Sequence, residues 1–380
     1  MKATINTKTL VAALSANVKL IPARATLAVQ ENVFIMAADL GMAISASYNN
    51  TELVVKLKPE EDCTVEEGGT ALVPARLLLD IVKTVEDEMV TLETAGGNAI
   101  KVCWSNGHSV IPTFDEKDYQ HVTNFPSADA VKVTFPANEL ATALAATAYA
   151  CSFEDDLHKV LRGVCIEAGP LGTAFAASDG RKLLVHELPD VATMTQAKFI
   201  LDKVYVPLLA EVCKDAETVS MSVDGGRARF SSERKTLNVA SVKGTFPRYR
   251  DVIPKNNGNV LTVDRKDFAT TVKRIGLFSG GSQRNVLLNL YPEVCGSELE
   301  ISSYGEEKQR SAKEKFNVDY AGKRMQIGFC AQHLQDILGR MEGEKVTLRF
   351  EDNRHAALIV PQEQAKSHST TAVLVPAMTL

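Results

Sequence analysis

Nucleophilic and metal-binding residue types are scattered through this sequence of 380 residues. Seven cysteines and seven histidines could supply nucleophiles, redox centres or metal ligands. The cysteines are Cys63, Cys103, Cys151, Cys165, Cys213, Cys295 and Cys330. No two of them form a CxxC pair, and the histidines show neither HExxH nor H-x-H spacing. The sequence therefore predicts reduced, mostly buried thiols and no metal site.

An acidic pair and one glycine-bounded segment come nearest to a catalytic signature. Asp155 and Asp156 have no evident partner and are typical of a loop or a helix cap. Residues 276–280 lack a serine at their centre and end a predicted helix instead of following a strand. No P-loop or dinucleotide-binding glycine pattern occurs in a supporting context. We therefore expect a protein that is not an enzyme and that binds no cofactor.

The positive charges are concentrated in a few segments. The chain has 42 lysines and arginines against 47 acidic residues, a net charge of -5, which argues against a protein that coats nucleic acid with its whole surface. Residues 1–30 and 265–284 are locally basic, whereas residues 51–69 are acidic. A local face that binds phosphates is therefore compatible with an acidic chain.

The charged residues are carried by a structural unit that is repeated six times along the chain. Each copy begins with a short strand, continues into an amphipathic helix and ends in alternating strands. In the first copy, a helix over residues 7–20 places Leu10, Leu14 and Val18 on one face. The second predicted helix ends at about Val85, and the third begins at Pro136. The fourth ends at about Lys214, and Pro207 should make it start late or kink. The last two cover residues 265–277 and 331–341.

Pairs of these copies predict three α+β domains of similar length, at residues 1–127, 128–255 and 256–380. Turn-rich segments precede a new strand at both boundaries. Each domain is expected to hold antiparallel sheets with its helices on one side. A triplicated domain is typical of a curved or ring-like object, because repeats related by a constant rotation tend to close.

The composition is that of an ordinary globular protein, with 45% hydrophobic and 23% charged residues. No apolar run reaches the length that spans a membrane, about 18 residues. The first residues also lack the apolar core of a signal peptide. We therefore expect a cytoplasmic protein without a membrane partner.

Four segments of the chain resemble motifs of one known family. Residues 72–76 resemble "VPAR", residues 178–183 resemble "TDGHRL", residues 246–254 resemble "FPDYRRVIP", and residues 373–380 resemble "VVMPMRL". In this order and on a triplicated chain, they resemble the β-subunit family of bacterial DNA polymerase III, the replication sliding clamps. The resemblance covers the whole chain.

The resemblance implies three tandem copies of a DNA-clamp domain and a head-to-tail homodimeric ring through which double-stranded DNA passes. Such a ring is a non-catalytic processivity factor, whose phosphate contacts are numerous, weak and independent of base sequence. The implied partners are the clamp loader, the α subunit of DNA polymerase III and other proteins with a clamp-binding motif. These partners insert a short peptide into a hydrophobic pocket. Loading would depend on an external ATP-driven machine.

Matching positions assign candidate residues to three sites. The DNA-binding candidates are Arg24 and Lys203, by position in the family, and Lys8, Lys83, Lys273 and Arg274, by charge alone. The pocket candidates are Leu161, Ser178, Gly180, Arg181, Leu183, Pro247, Val252, Val375, Pro376 and Met378. The dimer-interface candidates are Ser109, Val110 and Ile111 in an edge strand and Leu277 and Phe278 at a helix end.

Departures from the family pattern leave the partner preference open. The tail at residues 376–380 has one residue more than the family ending and no arginine. Asp251 stands where a basic residue is common, and Arg181 stands where histidine is common. Ser109 stands where the family can carry an aromatic residue. An alternative interpretation is therefore a clamp-like paralogue with an altered partner pocket.

Overall fold

The computed structural model describes residues 1–25, 27–96, 98–122, 125–153, 159–279, 284–292, 297–304 and 311–377. The first third contains β1 (Lys2–Asn6), α1 (Thr7–Val18), β2 (Asn32–Ala38), β3 (Gly41–Tyr48), β4 (Thr51–Leu57), β5 (Cys63–Glu67), β6 (Gly69–Pro74), α2 (Ala75–Lys83), β7 (Met89–Ala95), β8 (Ala99–Trp104) and β9 (Gly107–Pro112). Two strand–helix–strand copies therefore occupy this third, as the repeat predicts.

The middle third begins with a strand and a helix in the same order. Its elements are β10 (Val131–Pro136), α3 (Ala137–Thr147), β11 (Gly163–Gly169), β12 (Gly172–Ser178), β13 (Lys182–Leu188), β14 (Ala197–Asp202), α4 (Val206–Cys213), β15 (Thr218–Asp224), β16 (Arg227–Ser231) and β17 (Lys235–Ala240). Pro207 lies in the first turn of α4, where its missing N–H is tolerated, so the predicted late start of this helix is confirmed.

The last third repeats the pattern twice more. Its elements are β18 (Asn259–Asp264), α5 (Arg265–Gly276), β19 (Asn285–Tyr291), β20 (Ser297–Tyr304), β21 (Ser311–Ala321), β22 (Met325–Cys330), α6 (Ala331–Leu338), β23 (Lys345–Phe350), β24 (Ala357–Pro361) and β25 (Ser369–Leu374). The predicted start of α5 is confirmed, and a cap explains it: the Asp264 carboxylate accepts a hydrogen bond from the Asp267 amide at 2.9 Å.

The strands form antiparallel sheets that continue across the predicted domain boundaries. In the described residues, the sheet orders are β5-β1-β7-β8-β9, β10-β15-β16-β17-β4-β3-β2-β6 and β14-β11-β12-β13-β25-β24-β23-β18-β21-β20-β19-β22. The junctions are β17 with β4, where Leu237 faces Leu53, and β13 with β25, where Leu183 faces Val373. Local sequence patterns did not predict these two junctions.

The chain divides into two compact units. The first comprises Met1–Ala141 and Val204–Ser241, and the second comprises Thr142–Lys203 and Val242–Leu380. The middle third is divided because its two sheets continue into different neighbours. The three predicted domains, with boundaries at 127 and 255, stay a prediction.

Within the described residues, no helix is long and apolar enough to cross a membrane.

Candidate functional sites

One candidate site lies over a buried apolar cluster in the second unit. The cluster consists of Leu161, Cys165, Ala176, Leu183, Val185, Ile200, Phe246, Tyr249 and Val373. Leu183 and Val185 are alternate residues of β13, so both project from the same face of the sheet. The aromatic rings of Phe246 and Tyr249 meet edge to face, 6.2 Å apart. Segments that are far apart in the sequence thus form one buried apolar cluster.

A tight turn between β12 and β13 borders this cluster. Ser178 Oγ donates to the Lys182 carbonyl at 2.8 Å and accepts from the Gly180 amide at 3.0 Å. Asp179 Oδ1 accepts from the amides of Arg181 and Lys182, at 2.9 and 2.8 Å. Gly180 has a φ of +85°, which glycine adopts without strain. The backbone of residues 178–182 is therefore firmly held.

The charged side chains of this turn are also paired. Burial alone would raise the pKa of Asp179, but hydrogen bonds from Lys182 and the turn amides outweigh burial and hold its pKa below the usual range. Lys182 is 5% exposed, and its ammonium lies 2.8 Å from Asp179 and 3.8 Å from Asp336 in α6. Removal of either carboxylate would leave this ammonium underpaired in a buried position.

Three exposed apolar residues lie within three positions of a cluster residue along the chain, and we refer to Pro247, Val252 and Val375 as the aliphatic surface. Val252 is 61% exposed and Val375 is 48% exposed. Val252 ends a 3-10 turn that also contains Tyr249 of the cluster. The Val375 amide donates to the Arg181 carbonyl at 2.9 Å, which ties the chain after β25 to the turn. The surface therefore presents apolar groups on an ordered backbone.

A hydrogen bond and an ion pair to Glu167 hold the 3-10 turn in place. The Tyr249 hydroxyl donates to Glu167 Oε2 at 2.8 Å, and Arg250 lies 2.6 Å from the same oxygen. Burial alone would raise the pKa of Glu167, but hydrogen bonds from Lys198, Tyr249 and Arg250 outweigh it and lower the pKa. Burial chiefly, and the bond to Glu167, raise the pKa of Tyr249, so its hydroxyl stays a donor.

The structure brings most of the pocket candidates together. Leu161 and Leu183 belong to the cluster, Pro247, Val252 and Val375 form the aliphatic surface, and Ser178, Gly180 and Arg181 form the turn. Pro376 directly follows Val375, and Met378 lies outside the described residues. Four further cluster residues were not predicted as site residues: Val185, Phe246, Tyr249 and Val373. The available signals for them were strand alternation in β13 and the family-like segments 246–254 and 373–380.

The DNA-binding candidates are spread over several elements. Lys8 lies in the first turn of α1, Arg24 lies in the segment after α1, and Lys83 ends α2; all three are exposed. Lys273 and Arg274 are exposed in the last turn of α5, where a positive charge interacts favourably with the helix dipole.

Two of these cations have neighbours that the sequence did not predict. Arg274 Nη1 lies 2.5 Å from Glu314 Oε1 of β21, so its charge is partly neutralised. Lys203 Nζ donates to the Ser152 carbonyl and lies 3.7 Å from the centre of the Phe153 ring. Phe153 is 83% exposed. These contacts fix the position of the Lys203 ammonium.

The dimer-interface candidates lie at a sheet edge and at a helix end. Val110 of β9 is 58% exposed, whereas Ile111 is 1% exposed and points into the core. Leu277 and Phe278, just after α5, are 65% and 39% exposed. Ser109 is partly exposed. Of these residues, Ile111 therefore offers no side chain to a partner surface in this structure.

Strands β9 and β21 are among the strands that have an edge without a partner in the described residues. Strand β9 pairs with β8 on one side. Strand β21 pairs with β20 through residues 311–318, and on its other edge β18 pairs only with residues 319–321. Open edges of this kind can accept a strand from another chain.

Among the described residues, no group of three or more His, Cys, Asp or Glu side chains could hold a metal ion.

Comparisons with known proteins agree on one family. The model of the DNA polymerase III beta subunit N-terminal domain matches residues 1–123, and that of its C-terminal domain matches residues 250–376. The beta sliding clamp of Caulobacter vibrioides (strain NA1000 / CB15N) is 26% identical over 368 residues, 95% of this chain and 96% of that protein. The beta sliding clamp of Pseudomonas putida is 24% identical over 378 residues, 99% of each chain.

A solved structure has the same fold over its full length. The crystal structure of a DnaN sliding clamp (DNA polymerase III subunit beta) from Pseudomonas aeruginosa bound to griselimycin gives a TM-score of 0.91 at 22% identity, covering 100% of both chains. The two family models together span about two thirds of the sequence. This chain belongs to the DNA polymerase III beta subunit family, the bacterial beta sliding clamps.

Proposed function

We propose that two copies of this chain form a head-to-tail ring that encircles double-stranded DNA and tethers a replicative polymerase to it. Membership of the beta sliding clamp family, from the N-terminal to the C-terminal domain model, carries this proposal. The protein contributes no catalytic residue and no cofactor, and it works in the cytoplasm. The ring would increase processivity, which is the number of nucleotides that the polymerase adds before it dissociates.

Sliding requires contacts that hold DNA without fixing its position. Exposed cations such as Arg24, Lys8 and Lys83 supply phosphate contacts that do not depend on base sequence. A closed ring is retained by topology, so each contact can be weak. A net charge of -5 is compatible with this arrangement, because the channel needs only a local excess of cations.

Ring closure would use the open edges of β9 and β21. In this proposal β9 of one protomer pairs with residues 311–318 of β21 in its partner, so that main-chain donors and acceptors on both strands are satisfied. The exposed side chains of Val110, Leu277 and Phe278 would be covered at the same contact. One protomer supplies β9 and the other supplies β21, which gives a head-to-tail pair that can close.

The aliphatic surface would bind partner proteins. An extended peptide with aliphatic and aromatic anchors would cover Val252 and Val375 and remove their apolar area from water. The ordered turn at residues 178–182 favours such binding, because little conformational entropy is lost there. The clamp loader, the α subunit of DNA polymerase III and other proteins with a clamp-binding motif are the proposed partners.

The test combines mass and topology. Light scattering at micromolar protein should give twice the mass of the chain. Protein loaded on nicked circular DNA by a bacterial clamp loader with ATP should stay bound through gel filtration and be lost when the circle is cut. A monomer, or binding that survives linearisation and falls steeply with salt, would overturn the ring proposal.

A second candidate is a clamp-like paralogue with an altered partner surface. The basic Arg181 and the acidic Asp251 at this surface favour it, because both depart in charge from the family pattern. Retention on circular DNA combined with failure to bind clamp-binding peptides would support the paralogue. Retention combined with peptide binding would exclude it.

A further inference from the structure

Arg181 lies at the border of the aliphatic surface in a fixed position. Its amide donates to Asp179 Oδ1 at 2.9 Å, and its carbonyl accepts from the Val375 amide at 2.9 Å. Neither bond uses the guanidinium group, and the residue is exposed. The backbone therefore places an exposed cationic residue opposite Val375, whose side chain is also exposed.

Other arginines near the buried cluster each have a carboxylate partner. The pairs are Arg162–Asp202 at 3.4 Å, Arg248–Asp251 at 3.7 Å and Arg250–Glu167 at 2.6 Å. Among the described residues, Arg181 has no carboxylate within 4.0 Å of its guanidinium nitrogens, and the carboxylate of the neighbouring Asp179 is paired with Lys182. Arg181 is therefore the arginine at this surface whose guanidinium is available to pair with a carboxylate of a bound peptide.

A bound peptide would change the surroundings of this charge. When apolar side chains cover Val375 and Val252, water leaves the surface and the effective dielectric constant beside Arg181 falls. A guanidinium that loses water without gaining an acceptor opposes binding. A carboxylate on the peptide would restore its hydrogen bonds, and guanidinium and carboxylate can pair through two parallel bonds.

We propose that Arg181 determines specificity at this surface, so that this chain prefers apolar peptides with an aspartate or glutamate beside their anchors. The inference rests on the proposed function of the aliphatic surface and adds the charge of the partner segment. Arg248 contributes less to this preference, because Asp251 already lies 3.7 Å from its side chain. The two arginines thus form a matched pair for a test.

The experiment uses fluorescent peptides that have leucine and phenylalanine anchors and differ only in Asp or Asn at one position beside an anchor. Anisotropy titrations with the full chain should show that the best Asp peptide binds about five- to tenfold more tightly than its Asn twin. Arg181→Gln should reduce this ratio to below about twofold, and Arg248→Gln should leave it within about twofold of wild type. Added salt should weaken binding of the Asp peptide more than that of the Asn peptide.

The outcomes separate this inference from the proposed function. Equal binding of the twins at every position, or a preference that survives in Arg181→Gln, would overturn the role of Arg181 while leaving the surface a peptide site. Failure of every peptide to bind the wild-type chain would overturn both. Thermal melting of Arg181→Gln should match wild type, because the guanidinium makes no ion pair within the described residues.

Discussion

The aliphatic surface and the basic side chains of the helices differ in how firmly the fold holds them. The surface rests on a cluster from several distant segments and is tied by main-chain hydrogen bonds such as that from Val375 to Arg181. Lys8, Lys83 and Lys273 stand singly on helices and are exposed. Peptide recognition needs a fixed shape, whereas sliding needs interchangeable charges. Single substitutions should therefore matter greatly in the first region and little in the second.

The largest expected effect belongs to a charge placed in the aliphatic surface. Val375→Lys should weaken binding of a clamp-binding peptide by about 30-fold or more, because apolar burial is lost and an ammonium must be desolvated. Anisotropy titration with a labelled peptide measures this. Val375 is 48% exposed, so the folded state should tolerate lysine.

Leu40→Lys is the matched control for this substitution. Leu40 is 92% exposed in the first unit and belongs to none of the three candidate sites, so peptide affinity should not change. Peptide binding by Val375→Lys at wild-type affinity would show that partners bind elsewhere, and the contrast between the two regions would lose its basis.

The next effect concerns the proposed protomer contact. Phe278→Asp should raise the dimer dissociation constant by about tenfold or more, because a covered aromatic group is replaced by a charge. Sedimentation velocity across a dilution series measures the dissociation constant. Peptide affinity should stay unchanged, since Phe278 is not part of the buried cluster.

An equally exposed apolar residue gives the comparison variant. Leu171, at the tip of the hairpin between β11 and β12, is 95% exposed, and Leu171→Asp should leave the dimer intact. A wild-type dissociation constant for Phe278→Asp would place the protomer contact away from the end of α5. The open edges of β9 and β21 would then need a separate test.

Local patterns predicted the helices better than the sheets. The start of α5 follows from the Asp264 cap and the start of α4 from Pro207, both of which act within one turn. The pairing of β4 with β17 and of β13 with β25 joins strands that are far apart in the sequence, for which no local signal exists. Relative strand position is set by burial and closure of the whole sheet.

The candidate site shows the same division. Leu161 and Leu183 were assigned as positions that match the family pocket, and both belong to one buried cluster in the structure. Phe246 and Tyr249 were part of a recognised segment but were not assigned to the site, because sequence alone does not tell which side chains of an irregular turn are buried. Arg274 could not be distinguished from Lys273 until its ion pair with Glu314 was seen.

A smaller effect should appear as pH dependence in the sheet beneath the aliphatic surface. His186 of β13 is fully buried, its Nδ1 lies 2.9 Å from Thr370 Oγ1, and its ring stacks on His368, which contacts Glu342. Burial chiefly, and the charge of His368, lower the pKa of His186 to about 4.

The folded state therefore binds this proton less readily than the unfolded chain, whose histidine pKa is about 6.5. Stability from this group is complete above about pH 7 and is lost as the pH falls from 6.5 towards 4, about 2 kcal/mol by pH 5. Urea unfolding at pH 7.5 and pH 5 should show this loss in wild type and a smaller one in His186→Gln. Equal losses in both proteins would assign the pH dependence to other groups.

The smallest effects should come from single cations on the helices. Lys83→Gln should lower affinity for a short linear duplex about threefold and reduce the slope of log affinity against log salt by about 0.9, since one phosphate contact is removed. Arg274→Gln should change both quantities less, because Glu314 already neutralises part of that charge at 2.5 Å.

Lys366→Gln, in the loop before β25, serves as the control and should change neither quantity. Anisotropy of a labelled duplex between about 50 and about 200 mM salt measures all three variants. If Lys83→Gln alone lowered the affinity for the duplex more than about tenfold, DNA binding would depend on one dominant contact and not on many weak ones. Such a contact would impede sliding, so the contrast between a fixed peptide surface and interchangeable DNA contacts depends on this result.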